Sequence, residues 1–257
     1  MKIQILSLCF RRLAPALAAG IVLSMLAVPA RPEEARKDPW SLDRKVVVVQ
    51  FNGVTVADAL LALINDSGLR LGVAFYVDAH ETAKRINLDL KDSDLGVLLD
   101  KLTVAGDPTP AYDWRIVKPY PRPQSRAELI EVWQRRPPGV PDPGPSPLDA
   151  VVKTFSVRCA TPREALDALA AQVTEITGWK VAGIAPDAFE DPDFEPLYVS
   201  VSTTGESVKG ILAKLARKAD SSWVAKLDAA NKSVHLMLGR EFALPIYMEH
   251  NYVVKLQ

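Results

Sequence analysis

Cysteine is nearly missing, with two residues in a chain of 257. Cys9 lies in an apolar N-terminal stretch, which leaves Cys159 as the one thiol beyond it and no internal disulfide to hold a fold together. There is no Cys-x-x-Cys, no phosphate-binding glycine loop and no serine nucleophile elbow, so the common redox, nucleotide and hydrolase motifs are absent. Excess charge of one sign is absent too: 31 basic residues face 31 acidic ones, without the clustered basic face that nucleic acid requires. Long apolar runs are confined to the N-terminus, so no transmembrane segment is expected beyond it. The apolar fraction of 48% is nevertheless ample for a globular core, and 257 residues suffice for one large or two ordinary domains.

The N-terminus has the layout of a signal peptide. Lys2, Arg11 and Arg12 precede an apolar run from Leu13 to Val28, broken by Pro15, Gly20 and Ser24, and the run closes on Val28-Pro29-Ala30. It is shorter than the ~20 apolar residues of a spanning helix, so cleavage after residue 30 is expected, with an uncleaved N-terminal anchor as the alternative. Cys9 precedes the run instead of ending it, which argues against a lipoprotein. Removing residues 1–30 takes away three basic and no acidic groups, so the formal charge of 0 becomes −3. The expected address is the periplasm or cell envelope. Residues 31–45, charged and with two prolines, read as a disordered lead-in.

From Lys45 onward one pattern is written twice. Lys45–Phe51 (KVVVVQF) is a β-branched strand, and Thr55 caps a helix carrying Ala59, Leu60, Leu63 and Ile64, which Gly68 ends. Leu69–Val77 returns as a strand, and Ile86, Leu88 and Leu90 alternate with polar residues in another. Asp92 or Ser93 is expected to cap a second helix with Leu95, Leu98, Leu99 and Leu102, before a hairpin of Tyr112–Lys118 and Leu129–Trp133. Arg135–Pro147 then has six prolines in thirteen residues, a semi-rigid spacer. The pattern restarts at Val151. Thr161, Pro162 and Glu164 form a capping box, and Ala165, Leu166 and Leu169 repeat Ala59, Leu60 and Leu63 at an offset of 106. Ile211, Leu212 and Leu215 repeat Leu98, Leu99 and Leu102 at an offset of 113, and Trp223 takes the place of Trp114 before a last hairpin. The expected fold class is therefore α+β, as two small tandem domains. Each has two helices packed with short mixed sheets and a terminal hairpin. The expected boundaries are 46–134 and 150–240, a linker at 135–149, and an extension at 241–257 with a possible edge strand, Tyr252–Leu256.

Each copy resembles the short N-terminal domain of secretins and TonB-dependent receptors. The resemblance is carried by Phe51–Leu63, Ile86–Leu102 and Tyr112–Ile116 in the first copy, and by Phe155–Leu169, Leu197–Leu215 and Trp223 in the second. It implies two helices held between short sheets and a protein-binding role in the envelope. The expectation is of such modules without a following secretin or receptor barrel.

The chemical candidates are weak. Cys159 could serve as a nucleophile activated by His235 or His250, but a structural cysteine fits its strand-end position better. Asp78, His80 and Glu81 are too few and too close for a zinc site. The acidic loop at 187–195 lacks the spacing of a calcium loop and reads first as an exposed surface loop, yet its Phe189 and Phe194 suit a docking peptide. Trp114 and Trp223 read as core. The sequence therefore predicts a non-catalytic adaptor or assembly protein, with no metal and no cofactor. It would bind envelope proteins, with self-association as a further possibility, and no nucleic acid. The candidate partner-binding residues are Phe189, Phe194, Tyr252, Val253 and Val254. Deletion of 251–257 is expected to weaken association and leave the thermal midpoint nearly unchanged. The alternative function is an enzyme or small-ligand binder working in the cleft between the copies.

Overall fold

Local signals build the first copy as its pattern predicts. The computed structural model describes residues 44–77, 83–105, 112–117, 129–136, 139–185 and 197–257; the signal peptide, Asp78, His80, Glu81, Phe189 and Phe194 lie outside them. Strand β1 (Lys45–Val54) leads to Thr55, whose side chain accepts from the Asp58 amide at the head of α1 (Val56–Ser67), and Gly68 ends that helix in the left-handed region at φ 63°. Then come β2 (Leu71–Tyr76), β3 (Ile86–Asp94), α2 (Leu95–Ala105), β4 (Tyr112–Val117) and β5 (Leu129–Gln134). One local expectation fails. Asp92 and Ser93 do not cap α2, because β3 runs through them to Asp94, held by its pairing with β1.

The second copy has the same order: β6 (Val151–Ala160), α3 (Pro162–Thr177), β7 (Lys180–Ile184), β8 (Val199–Ser207), α4 (Val208–Lys218), β9 (Ser222–Asp228) and β10 (Ser233–Gly239). The capping box at α3 is complete: the Glu164 amide donates to Thr161 Oγ1 at 3.2 Å and the Thr161 amide to Glu164 Oε2 at 2.8 Å. A final strand, β11 (Tyr252–Leu256), closes the chain. The fold is thus mixed α+β with four α-helices among the described residues.

Pairing within each copy is the same. β1 and β3 pair antiparallel, as do β6 and β8. β2 lies parallel to β5, which is antiparallel to β4; β7 lies parallel to β10, which is antiparallel to β9. In place of the expected two modules on a spacer, the structure has two copies joined through a common sheet. β2 pairs parallel with β9, giving six strands in the order β4-β5-β2-β9-β10-β7.

Alternation along this sheet sends the copies to opposite faces. Leu71, Val73 and Phe75 of β2 enter a core with α1 and α2, joined by Val224 of β9. Ala74 of β2 and Trp223, Ala225 and Leu227 of β9 enter the other core, with α3 and α4. Strand order therefore repeats with strand directions reversed and helices exchanged between faces. In topology that is a half-turn about an axis running across the strands, combined with a shift along it and with the twist of the sheet. The outer layers are the β11-β1-β3 sheet over the first core and the β6-β8 ribbon over the second.

The connecting segments are docked. Leu148, at the end of the proline-rich stretch, is buried in the second core, and the Lys209 amide donates to its carbonyl at 3.1 Å. After β10 the chain returns to the first copy. Phe242 and Met248 are buried there, and Asn65 holds the Phe242 backbone on both sides, donating to its carbonyl at 2.8 Å and accepting from its amide at 2.9 Å.

Candidate functional site

Of the residues expected to meet a partner, Tyr252, Val253 and Val254 are described, and they lie in β11. Its free end turns back on its own molecule. β11 pairs antiparallel with β1, with Val254 opposite Val49 and Tyr252 opposite Phe51. Val254 is 8% exposed and enters the core, whereas Val253 points outward at 41%. The Tyr252 ring lies 6.4 Å from that of Phe51, and burial, with the Asp66 carboxylate adding, pushes its phenol up to about 12. β11 is the last strand of its sheet, so its outer backbone groups form an edge.

At the seam between the copies the strands fit closely. Gly72 faces Trp223 across the β2–β9 pairing, and the indole lies where a Gly72 side chain would stand: a Cβ there would meet Trp223 Cε2 at 2.3 Å. The Leu71 amide donates to Ser222 Oγ at 3.0 Å, tying the strands at one end. Sequence reading missed Gly72, although a glycine inside a strand is the usual sign of a close approach. It also paired Trp114 with Trp223. Rows across the sheet correct this: Val73, Val132 and Trp114 form one row, and Gly183, Leu236 and Ala225 the corresponding one. Trp114 thus occupies the place of Ala225, and Tyr112 that of Trp223. Trp223 is fully buried, while Trp114 is half-exposed and donates from Nε1 to Asp100 Oδ1 at 2.8 Å.

Beside the seam lies a cavity of about 210 Å³, lined from both copies by Tyr76, Glu131, Trp133, Leu148, Lys209 and Trp223 among others. Glu131 is buried, and Arg115 donates to its Oε2 from Nε at 3.0 Å and from Nη2 at 2.8 Å. Burial raises the Glu131 carboxyl above the usual range and the arginine offsets part of that. The Arg115 guanidinium and the Lys209 ammonium stand 5.4 and 5.9 Å from the Trp133 ring.

The six-stranded sheet ends in β4 and β7, neither of which pairs on its outer side among the described residues. Against β4 lies a shallow groove of about 450 Å³, lined by Asp100, Thr103, Val104, Tyr112, Trp114 and Arg135. Val104 is 68% exposed at its rim. At the opposite end Ile184 of β7 is 40% exposed. Neither end stood out in the sequence, because an apolar residue on an edge has the same local pattern as one in a core.

The chemical candidates stay apart from these features. Cys159 is exposed on β6, with φ at 49°, in the bulge where its amide donates to Ser200 Oγ at 2.9 Å. His235 is exposed on β10, and His250 is exposed ahead of β11. No group of three His, Cys, Asp or Glu side chains that could hold a metal occurs among the described residues. No described helix is long and apolar enough to cross a membrane. No family model, curated protein or solved structure matches the chain.

Proposed function

We propose that this is an exported, non-catalytic interaction protein of the cell envelope that docks partners through the edges of its sheets. One observation supports it above the others: the two copies are joined by a strand-edge pairing, β2 on β9, and the resulting sheet ends in two further edges with exposed apolar residues beside them. Main-chain hydrogen bonds along such an edge supply affinity, and the side chains beside it supply selectivity. The outer edge of β11, with Tyr252, Val253 and Val254, belongs to the same class of surface, and Phe189 and Phe194 remain docking candidates under this reading. The arrangement in each copy, two helices between short sheets, fits the resemblance to the secretin and TonB N-terminal domain. The N-terminal signal-like segment supports the address.

The test is photocrosslinking in intact cells from single positions of the full chain. A photoreactive residue at Ile184 or Val253 should capture envelope proteins, whereas one at Ile246, exposed in the 3-10 turn Ile246–Met248 and in no strand, should not. Equal capture from all three, or none from the edges, overturns the reading. A second reading, small-ligand binding, is favoured by the cavity at the seam, because both copies line it and it holds a buried carboxyl. Loss of binding on Trp133→Ala, with the edge crosslinks unchanged, would select it.

A further inference from the structure

We propose that the chain assembles head to tail with further copies of itself, β7 of one molecule pairing with β4 of the next. This rests on the interaction reading and names the partner as a second copy. Symmetry carries it. The half-turn with shift that carries the first copy onto the second places β9 where β4 was, and joins it to β2. Applied once more, the same operation places β4 of a new molecule beside β7. Two such operations restore the strand direction and the assignment of faces, with each added molecule turned further about the axis by the twist of the sheet, and both poles survive at the ends. The contact is heterologous and does not close on itself.

The internal seam also sets the register. The helix-ending Gly68 and Gly178 align Gly72, Val73 and Ala74 with Ala182, Gly183 and Ile184. The sheet rows align Tyr112, Asp113 and Trp114 with Trp223, Val224 and Ala225. The internal pairs Gly72–Trp223, Val73–Val224 and Ala74–Ala225 therefore become Ala182–Tyr112, Gly183–Asp113 and Ile184–Trp114 between molecules. Two observations independent of the symmetry agree with this register. Ile184, which replaces the small Ala74, is exposed and lies on the sheet face that Trp114 shares in the next molecule. The space for it exists, as the groove beside Trp114 rimmed by Val104. A small side chain, Ala182, falls opposite Tyr112, as glycine does opposite the larger Trp223. The two strands are short, five and six residues, so each junction is weak and reversible, and assembly responds to local concentration.

The experiment is sedimentation velocity of the full chain over a micromolar concentration series, with Ile184→Glu and Val104→Glu. Each variant blocks one pole, and both positions are exposed enough to leave the fold intact, which circular dichroism checks. Wild type should sediment faster as concentration rises, without a plateau at the dimer, and each variant alone should stay monomeric. An equimolar mixture of the two should form a dimer and stop, because each supplies the pole that the other lacks. Wild type that stays monomeric, variants that assemble as wild type does, or a mixture that fails to pair overturns the proposal. If either glutamate variant does not fold, Ile184→Ser and Val104→Ser remove the same apolar contact without adding charge. The two proposals fail separately. Monomeric wild type whose Ile184 crosslinks still capture foreign envelope proteins sinks self-assembly alone; concentration-dependent assembly with no foreign partner sinks the adaptor reading alone.

Discussion

Two residues at the seam carry sharp energetic consequences. Gly72 has no room for a side chain, because the Trp223 indole occupies the site of its Cβ. Gly72→Ala forces either the strand or the ring to move, and overpacking of this kind costs about 1–3 kcal/mol. Gly96 is the control: it lies in α2 with nothing within 4 Å of its Cβ site, so Gly96→Ala should stabilise by about 0.5–1 kcal/mol. Urea midpoints of the two variants should move in opposite directions. The second residue is Glu131, whose carboxyl is raised by burial despite Arg115. With the folded pKa above the unfolded one, the contribution of Glu131 is fully present below the unfolded pKa and is lost as pH rises through the folded one. Glu131→Gln removes that titration. Its stability relative to wild type should therefore climb as pH rises from the acid side through the carboxylate range, and then level off. A difference that stays flat with pH would show that Arg115 fully compensates the burial. The glycine inside β2 is a local sign of a close approach, but the neighbours of both residues, Trp223 and Arg115, come from other strands, and only pairing brings them close.

Elements were legible wherever their signals are local. The Thr55 and Thr161 caps, the terminal Gly68 and Gly178, the β-branched run in Lys45–Phe51 and the alternation in Ile86–Leu90 all depend on residues within a few positions, and each element forms where its signal stands. Partner choice between strands is not local. β11 was readable as a strand, but its partner, β1, lies some two hundred residues earlier, and the intervening chain says nothing of that match. The consequence reverses an expectation. Because β11 completes the sheet over α1, burying Val254 and packing Tyr252 on Phe51, removal of 251–257 should not leave stability unchanged. Burial of Val254 stabilises by roughly 1.5–3 kcal/mol, partly buried Tyr252 adds to this, and β1 would lose a ladder of hydrogen bonds as well. The truncated chain should unfold at clearly lower urea than wild type. An unaltered midpoint would mean that β11 detaches readily, and would return it to the pool of strands free for partners.

At the scale of the molecule, two copies of one pattern stabilise each other through a sheet that neither completes alone. β2 would be the last strand of the first copy's sheet without β9, and Val224 enters the core built by α1 and α2 although it belongs to the second copy. Ala74 makes the reciprocal crossing into the second core. The chain after β10 adds a third tie: Phe242 is clamped by Asn65, and the Tyr247 hydroxyl donates to the Asp58 carboxylate beneath the head of α1. Consistent with these crossings, all described residues fall within one compact unit. Separate modules on a semi-rigid spacer would unfold independently, with two transitions and additive behaviour. A shared sheet couples the halves, because unfolding either one exposes Trp223 or Val73 in the other to water. The expected result is a single transition in urea, coincident by tryptophan fluorescence and far-ultraviolet circular dichroism. Residues 44–136 produced alone should then aggregate or stay unfolded, since the bare edge of β2 with its apolar neighbours is a template for uncontrolled pairing. If 44–136 folds alone as a soluble monomer and the full chain unfolds in two steps, the β2–β9 seam is a weak docking contact, and symmetry at that seam loses its force as a guide to assembly.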